Sequence, residues 1–303
     1  MASQRDYLWM ADTNNHRIIK RNKSDLSFVS EVGVRGGGAG NDGHSVPNDL
    51  CTDGTYIYIA DTGNNRVVKR RCDDLTYVTK ATFTGGPNAI CTDGTYLYVI
   101  YNSKNTISKV LRSDLSVVSS FGSSPQSNHA LGIYHGEGVT TDGTYLYIGC
   151  RDAEWLLKYT VDFTFVAAIF RDDYAGESRS GVTDGTFLWF ETSGAENDNV
   201  QYLVKRDCSD LASVWAVGGL GSGNTQWHGL RGSIGYDGTH LFVADVYNHR
   251  IKKLLASDGS FVAKIGTYTG EGSPANDTFK FPYAIATMGA PVSFPRVYGT
   301  IIG

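Results

Sequence analysis

No stretch of this 303-residue chain approaches the roughly 20 consecutive apolar residues of a membrane-crossing helix, so insertion into a membrane is not expected. The N-terminal MASQRD lacks the apolar core of a secretory leader, which predicts use without export by that route, in the cytoplasm or in a virion. Charge is sparse, at 19% with a net value of -4, and general nucleic-acid binding needs clustered positive charge to neutralise phosphates. Five cysteines cannot all pair within one chain, and none stands in a CxxC spacing. Reduced, structural thiols are the expectation. Nucleophile elbows, zinc-protease motifs and phosphate loops are missing too, so nucleophilic and nucleotide chemistry have no support.

What the chain does contain is a repeat. An Asp-Leu-like turn recurs at Asp25, Asp74, Asp114, Asp162, Asp210 and Asp258, at separations of 49, 40, 48, 48 and 48 residues. A second turn, Asp-Gly-Thr, stands upstream at Asp53, Asp93, Asp142, Asp184 and Asp237. Between the turns lie short runs rich in β-branched and aromatic residues, four to a repeat, with no helical periodicity. This predicts an all-β, six-bladed propeller of four-stranded antiparallel blades, occupying 1–303 as one domain. The first copy begins at its second strand, YLWMAD, and the C-terminus carries an unmatched first strand, FPYAIAT from Phe281. The C-terminal strand is therefore expected to complete the N-terminal blade, removing an exposed sheet edge.

The segments ADTNNHRIIKR from Ala11, ADTGNNRVVKR from Ala60 and ADVYNHRIKKL from Ala244 resemble the NHL repeat, with its Asp-x-x-Asn-x-Arg core. The third copy has Tyr101 in the Asp place, the fourth has Cys150 and Trp155 in the Asp and Arg places, and the fifth carries an insertion from Ser193. The core itself is read as structural, because Asn and Asp satisfy turn backbone groups and Arg reaches a carboxylate.

Strand alternation sorts the loops. Short turns share one face, and the long, divergent blade-to-blade connections share the other, where binding is expected. On that face Tyr134, Tyr174, Trp227 and Tyr268 would supply flat contact area and Arg35, Arg171, Arg179 and Arg231 directed polar contacts to a protein or glycan partner. At the same end, alignment of the copies places Asn48, Asn88, Glu137, Ser180, Gly232 and Tyr283 around the channel, with His44 and His228 at equivalent loop positions. The architecture is also similar to six-bladed lactonases and esterases. That resemblance implies a divalent cation such as calcium on Asn48, Asp49, Asn88 and Glu137, with His44, His135 or His228 as proton carrier.

The reading that organises these features is non-catalytic recognition through the long-loop face, without a cofactor. Its alternatives are a metal-dependent hydrolase at the channel, a virion or surface-appendage component with 290–303 as an arm, and single-stranded RNA binding through basic third strands. Lys20, Lys69, Lys109, Lys205, Lys252 and Lys253 lie on those strands, which are expected to be solvated.

Overall fold

The computed structural model describes residues 4–33, 40–101, 104–122, 133, 135–151, 154–170, 178–194, 197–229, 234–267 and 277–288. These form six antiparallel sheets of four strands, the blades of a six-bladed β-propeller. Blade one joins Tyr7–Asp12, Arg17–Asn22 and Phe28–Gly33 to the C-terminal Pro282–Thr287, with Leu8 opposite Thr287 and Ala11 opposite Ala284. Blades two to six occupy 47–82, 87–121, 136–170, 178–218 and 234–265. No helix among the described residues is long and apolar enough to cross a membrane.

The two repeated turns owe their recurrence to local chemistry. In Asp-Gly-Thr, Asp53 Oδ1 accepts the amides of Thr55 and Tyr56, each at 2.8 Å. Thr52 Oγ1 accepts the Gly54 amide and donates to the Tyr56 carbonyl. Gly54 sits at φ +89°, which glycine adopts without strain. Asp53 Oδ2 then takes the Tyr58 hydroxyl and, from blade three, Arg112 Nη1 at 2.6 Å. In the Asp-Leu turn the aspartate accepts an amide two residues on, while Leu26, Leu75, Leu115 and Leu211 take positive φ near 63° and still bury their side chains between blades.

The core lies between blades and not within them. Six apolar clusters fill the six interfaces; that between blades six and one packs Phe242, Ala244 and Ile251 against Leu8, Met10 and Ile285. Each buried Leu or Ile contributes about 2 kcal/mol.

In five of the blades a lysine also bonds the neighbouring blade. Lys20 Nζ lies 4.0 Å from the Tyr7 ring centroid and donates to the carbonyls of Cys72 and Asp73 in blade two. Lys69 stands over Tyr56 and reaches the Arg112 carbonyl, and Lys158 stands over Tyr145 and reaches the Cys208 carbonyl. Lys109 bonds Asp162 and the Val161 carbonyl, and Lys253 the Lys23 carbonyl. The expectation of solvated third strands is corrected here: Lys20, Lys69, Lys158, Lys205 and Lys253 are 3%, 7%, 5%, 9% and 7% exposed, and Lys252 is fully buried. The third-to-fourth turn of the next blade meets Lys20, Lys69, Lys158 and Lys253, Lys252 instead bonds the carbonyls of Gly223 and Gln226, and burial lowers the pKa of Lys20 and Lys69. They present no basic face for an RNA backbone.

Candidate functional site

On the long-loop face the blades divide into two groups. In blades one, two and six the Asp-x-x-Asn-x-Arg residues staple the hairpin to the loop that arrives from elsewhere in the chain. Asp61 is fully buried; its Oδ2 accepts Asn64 Nδ2 at 2.9 Å and Arg66 Nε at 2.6 Å, and its Oδ1 accepts the Ser45 amide at 2.7 Å. Arg66 continues to the carbonyls of Gly40 and Gly43. Asp12 repeats this with Asn15, Arg17 and the Lys280 amide, Arg17 going on to Glu31 and the Thr278 carbonyl. Asp245 does so with Asn248, Arg250 and the His228 amide, Arg250 holding the carbonyls of Ser222 and Gly223. Lys252 Nζ lies 3.2 Å from Asp245, and burial draws its pKa down to about 8 in spite of that carboxylate.

Blades three, four and five lack the staple. Tyr101, Cys150 and Thr192 stand where the Asp stands, as the registers Pro87 to Tyr101, Gly136 to Cys150 and Ser178 to Thr192 show beside Pro47 to Asp61. The Arg place of blade four holds Trp155, whose ring lies 4.8 Å from that of Phe170, and Phe170 is 51% exposed. In blade five the insertion lengthens the second-to-third hairpin: its strands run Phe187–Gly194 and Asn197–Asp207, where other blades have strands of six to eight residues.

The residues singled out at the channel bond to protein groups. Asn48 Nδ2 donates to Asn88 Oδ1 at 3.0 Å, and Glu137 is paired with Arg151 Nη1 at 2.6 Å. Asp49 accepts the Leu50 amide and, across the blade boundary, the Ile90 amide at 2.8 Å, satisfying the free edge of an innermost strand. No group of three or more His, Cys, Asp or Glu residues suited to a metal ion occurs among the described residues. The channel holds a cavity of about 410 Å³ whose short-turn end is ringed by Thr52, Thr92, Thr141, Thr183 and Thr287. The first four hydroxyls donate to the carbonyl four residues on, across their own turn, and that of Thr287 to the Tyr236 carbonyl of the neighbouring blade.

The histidines separate as well. His44 is fully buried, its Nδ1 3.6 Å from Asp61 Oδ2, and burial lowers its pKa. Since Ser45, His228 and Lys280 are the residues whose amides meet the three staple aspartates, His44 shares its place with Trp227 and Phe279, one step from the expected match to His228. Likewise Ser178 pairs with Thr192, which puts Arg179, and not Ser180, in the channel place of Asn48. Trp227 is also corrected: it is fully buried in the interface of blades five and six, with Lys252 Nζ 3.9 Å from its ring, and offers no surface to a partner. His228 is exposed beside Tyr247, and the His135 amide donates to Asn105. Arg35, Tyr134, Arg171, Tyr174, Arg231 and Tyr268 lie outside the described residues, as do 290–303, and only the backbone of Arg179 is described. The Trp155–Phe170 pair escaped sequence reading; its signal was a tryptophan standing in the Arg place.

All five cysteines are free thiols. Burial pushes Cys72 up to about 12 and raises Cys51, Cys91 and Cys208, which leaves them unreactive near neutral pH.

No protein-family model matches this chain, and no curated protein matches it. Solved structures do. A chain in the nidogen/laminin complex is 12% identical, with 92% of this chain and 97% of that one covered at a TM-score of 0.65. A protein of unknown function from Bacteroides caccae is 12% identical over 92% and 97%, with a TM-score of 0.63. A β-propeller domain from Myceliophteria thermophila is 11% identical over 95% and 88%, with a TM-score of 0.59. At such identities the likeness is one of fold.

Proposed function

We propose that this chain is a non-catalytic, NHL-like propeller that recognises a protein partner through the long-loop face of blades three, four and five. The observation that carries the reading is the division of that face. Where the staple is present, loop amides and carbonyls are bound by buried Asp and Arg side chains; where it is absent, the exposed Phe170 against a partly buried Trp155 in blade four and a lengthened hairpin in blade five stand in its place. An exposed aromatic such as Phe170 together with a polar pair such as Arg151 and Glu137 matches the composition of protein interfaces. A similar propeller occurs in the complex of nidogen with laminin, which supports a protein as the partner. The staple geometry supports the NHL resemblance, since its three residue types meet in one buried cluster.

This reading requires no cation, because Asn48, Asp49, Asn88 and Glu137 are engaged with protein groups. The test is affinity capture on the immobilised chain from an extract of its source, comparing wild type with Phe170→Ala and Arg151→Ala and, as a control on the opposite face, Asp114→Asn. Loss of the captured protein in the first two alone supports the proposal; equal capture by all four overturns it. A glycan partner would appear as capture abolished by deglycosylating the extract.

A further inference from the structure

Besides Gly86 at φ 65°, the residue just before the innermost strand is left-handed in three blades where it is not glycine: Val46 at φ 49°, His135 at 47° and Phe281 at 54°. A β-branched or bulky residue rarely holds that conformation unless its surroundings fix it. In each case a side chain from the preceding blade takes its amide. Val46 donates to His16 Nδ1 at 3.0 Å, His135 to Asn105 Oδ1 at 3.0 Å, and Phe281 to His249 Nδ1 at 3.2 Å. The acceptors share one position of the repeat, directly before the Arg place, where blade two has Asn65. Of the three clamps one is Asn and two are His.

The histidines are not scattered. His249, on blade six, holds the residue that leads into the closing strand Pro282–Thr287; His16, on blade one, holds the residue that leads into blade two. Both therefore bracket the blade built from the two ends of the chain. An imidazole that accepts at Nδ1 carries its proton on Nε2 and is neutral.

We propose that these two imidazoles make closure of the ring acid-sensitive, protonation at Nδ1 setting a donor against an amide donor on both sides of blade one while the Asn105 clamp ahead of blade four stays closed. Around His249, Asp245 of its own hairpin favours the charged ring but is already engaged by Asn248 and Arg250, while His228 and Lys280, from the loops on either side, oppose it. The Phe281 ring stands 4.7 Å away, edge to face. On the His16 hairpin Asp12 is bound by Arg17, which also binds Glu31 of the outermost strand, and the loop ahead carries the buried His44. Burial holds His249 below the usual 6.5. The unfolded chain therefore takes up the proton first: this contribution is complete above about pH 6.5 and is lost as the pH falls below it.

Asp12 is the other acid-sensitive group at the seam, its pKa raised by burial in spite of Arg17, and it holds the Lys280 amide. The test separates the two. Hydrogen exchange of the full chain, corrected for intrinsic rates, is compared at pH 7.5 and 5.0 for 282–287 and, as an internal control, for 136–141 of blade four. Protection of the closing strand should fall about tenfold or more relative to the control, the equivalent of one pKa unit. The variant His16→Asn with His249→Asn uses the residue found at the same place in Asn65 and Asn105 and should keep its protection at pH 5.0. No selective loss in the wild type overturns the proposal, whether or not the variant folds. So does a folded variant that loosens as the wild type does, which would assign the effect to Asp12.

Discussion

Blades two and four share a fold and differ in what their loop ends are bound to. In blade two the Asp61 carboxylate gathers Asn64, Arg66 and the Ser45 amide, and the arginine fixes two further carbonyls. In blade four Cys150 and Trp155 occupy the Asp and Arg places, the ion pair is the partly exposed Glu137 and Arg151, and Phe170 lies exposed against the partly buried Trp155. In the proposed reading, stability and recognition fall to different sectors of one ring. The interior joints do not follow this division, because the lysine bridges occur in blades of both kinds.

The largest effect that would break the comparison is expected at the staple. Asp61→Ala strands the buried Arg66 and frees the Ser45 amide, and should cost about 3–5 kcal/mol in urea unfolding, as removal of one partner of a buried pair does. Lys69→Met and Lys158→Met come next, each removing donors to a neighbouring turn, at about 1–3 kcal/mol. Their melting temperatures should fall by similar amounts, since this joint is common to both kinds of blade; a large difference would mean that the division reaches the blade interiors. Arg151→Ala should cost less than about 1 kcal/mol, because its pair with Glu137 is partly solvated. Phe170→Ala should change stability by about 0.5 kcal/mol or less while removing capture of the partner.

The fold was legible because its repeated turns are written in local chemistry. Asp53 and Thr52 close their hairpin with groups no more than a few residues apart, so the Asp-Gly-Thr string carries its own structure. The closing strand was legible from the two incomplete copies. What was hidden depends on contacts between blades. A period-two pattern says which face of a strand a lysine occupies but not that the next blade's turn will cover it, and so Lys20 and Lys69 were expected in solvent. Trp227 lies in a Gly-rich loop that has the composition of an exposed one, yet it fills a slot that His44 and Phe279 fill elsewhere. That slot is defined by the amide donated one residue later to a distant aspartate, which explains the one-step error in matching His44 to His228. At the channel, polar residues were located but not their partners: Asn48 meets Asn88, and Asp49 meets an amide of the next blade.

The most direct test of the division is the hydrogen-exchange footprint of the protein with and without its captured partner. The account predicts slowed exchange confined to the loop ends of blades three, four and five, including 151–155, 168–170 and 192–202, with the stapled ends of blades one, two and six unchanged. A footprint on the stapled loops or on the short Asp-Gly-Thr face would contradict it.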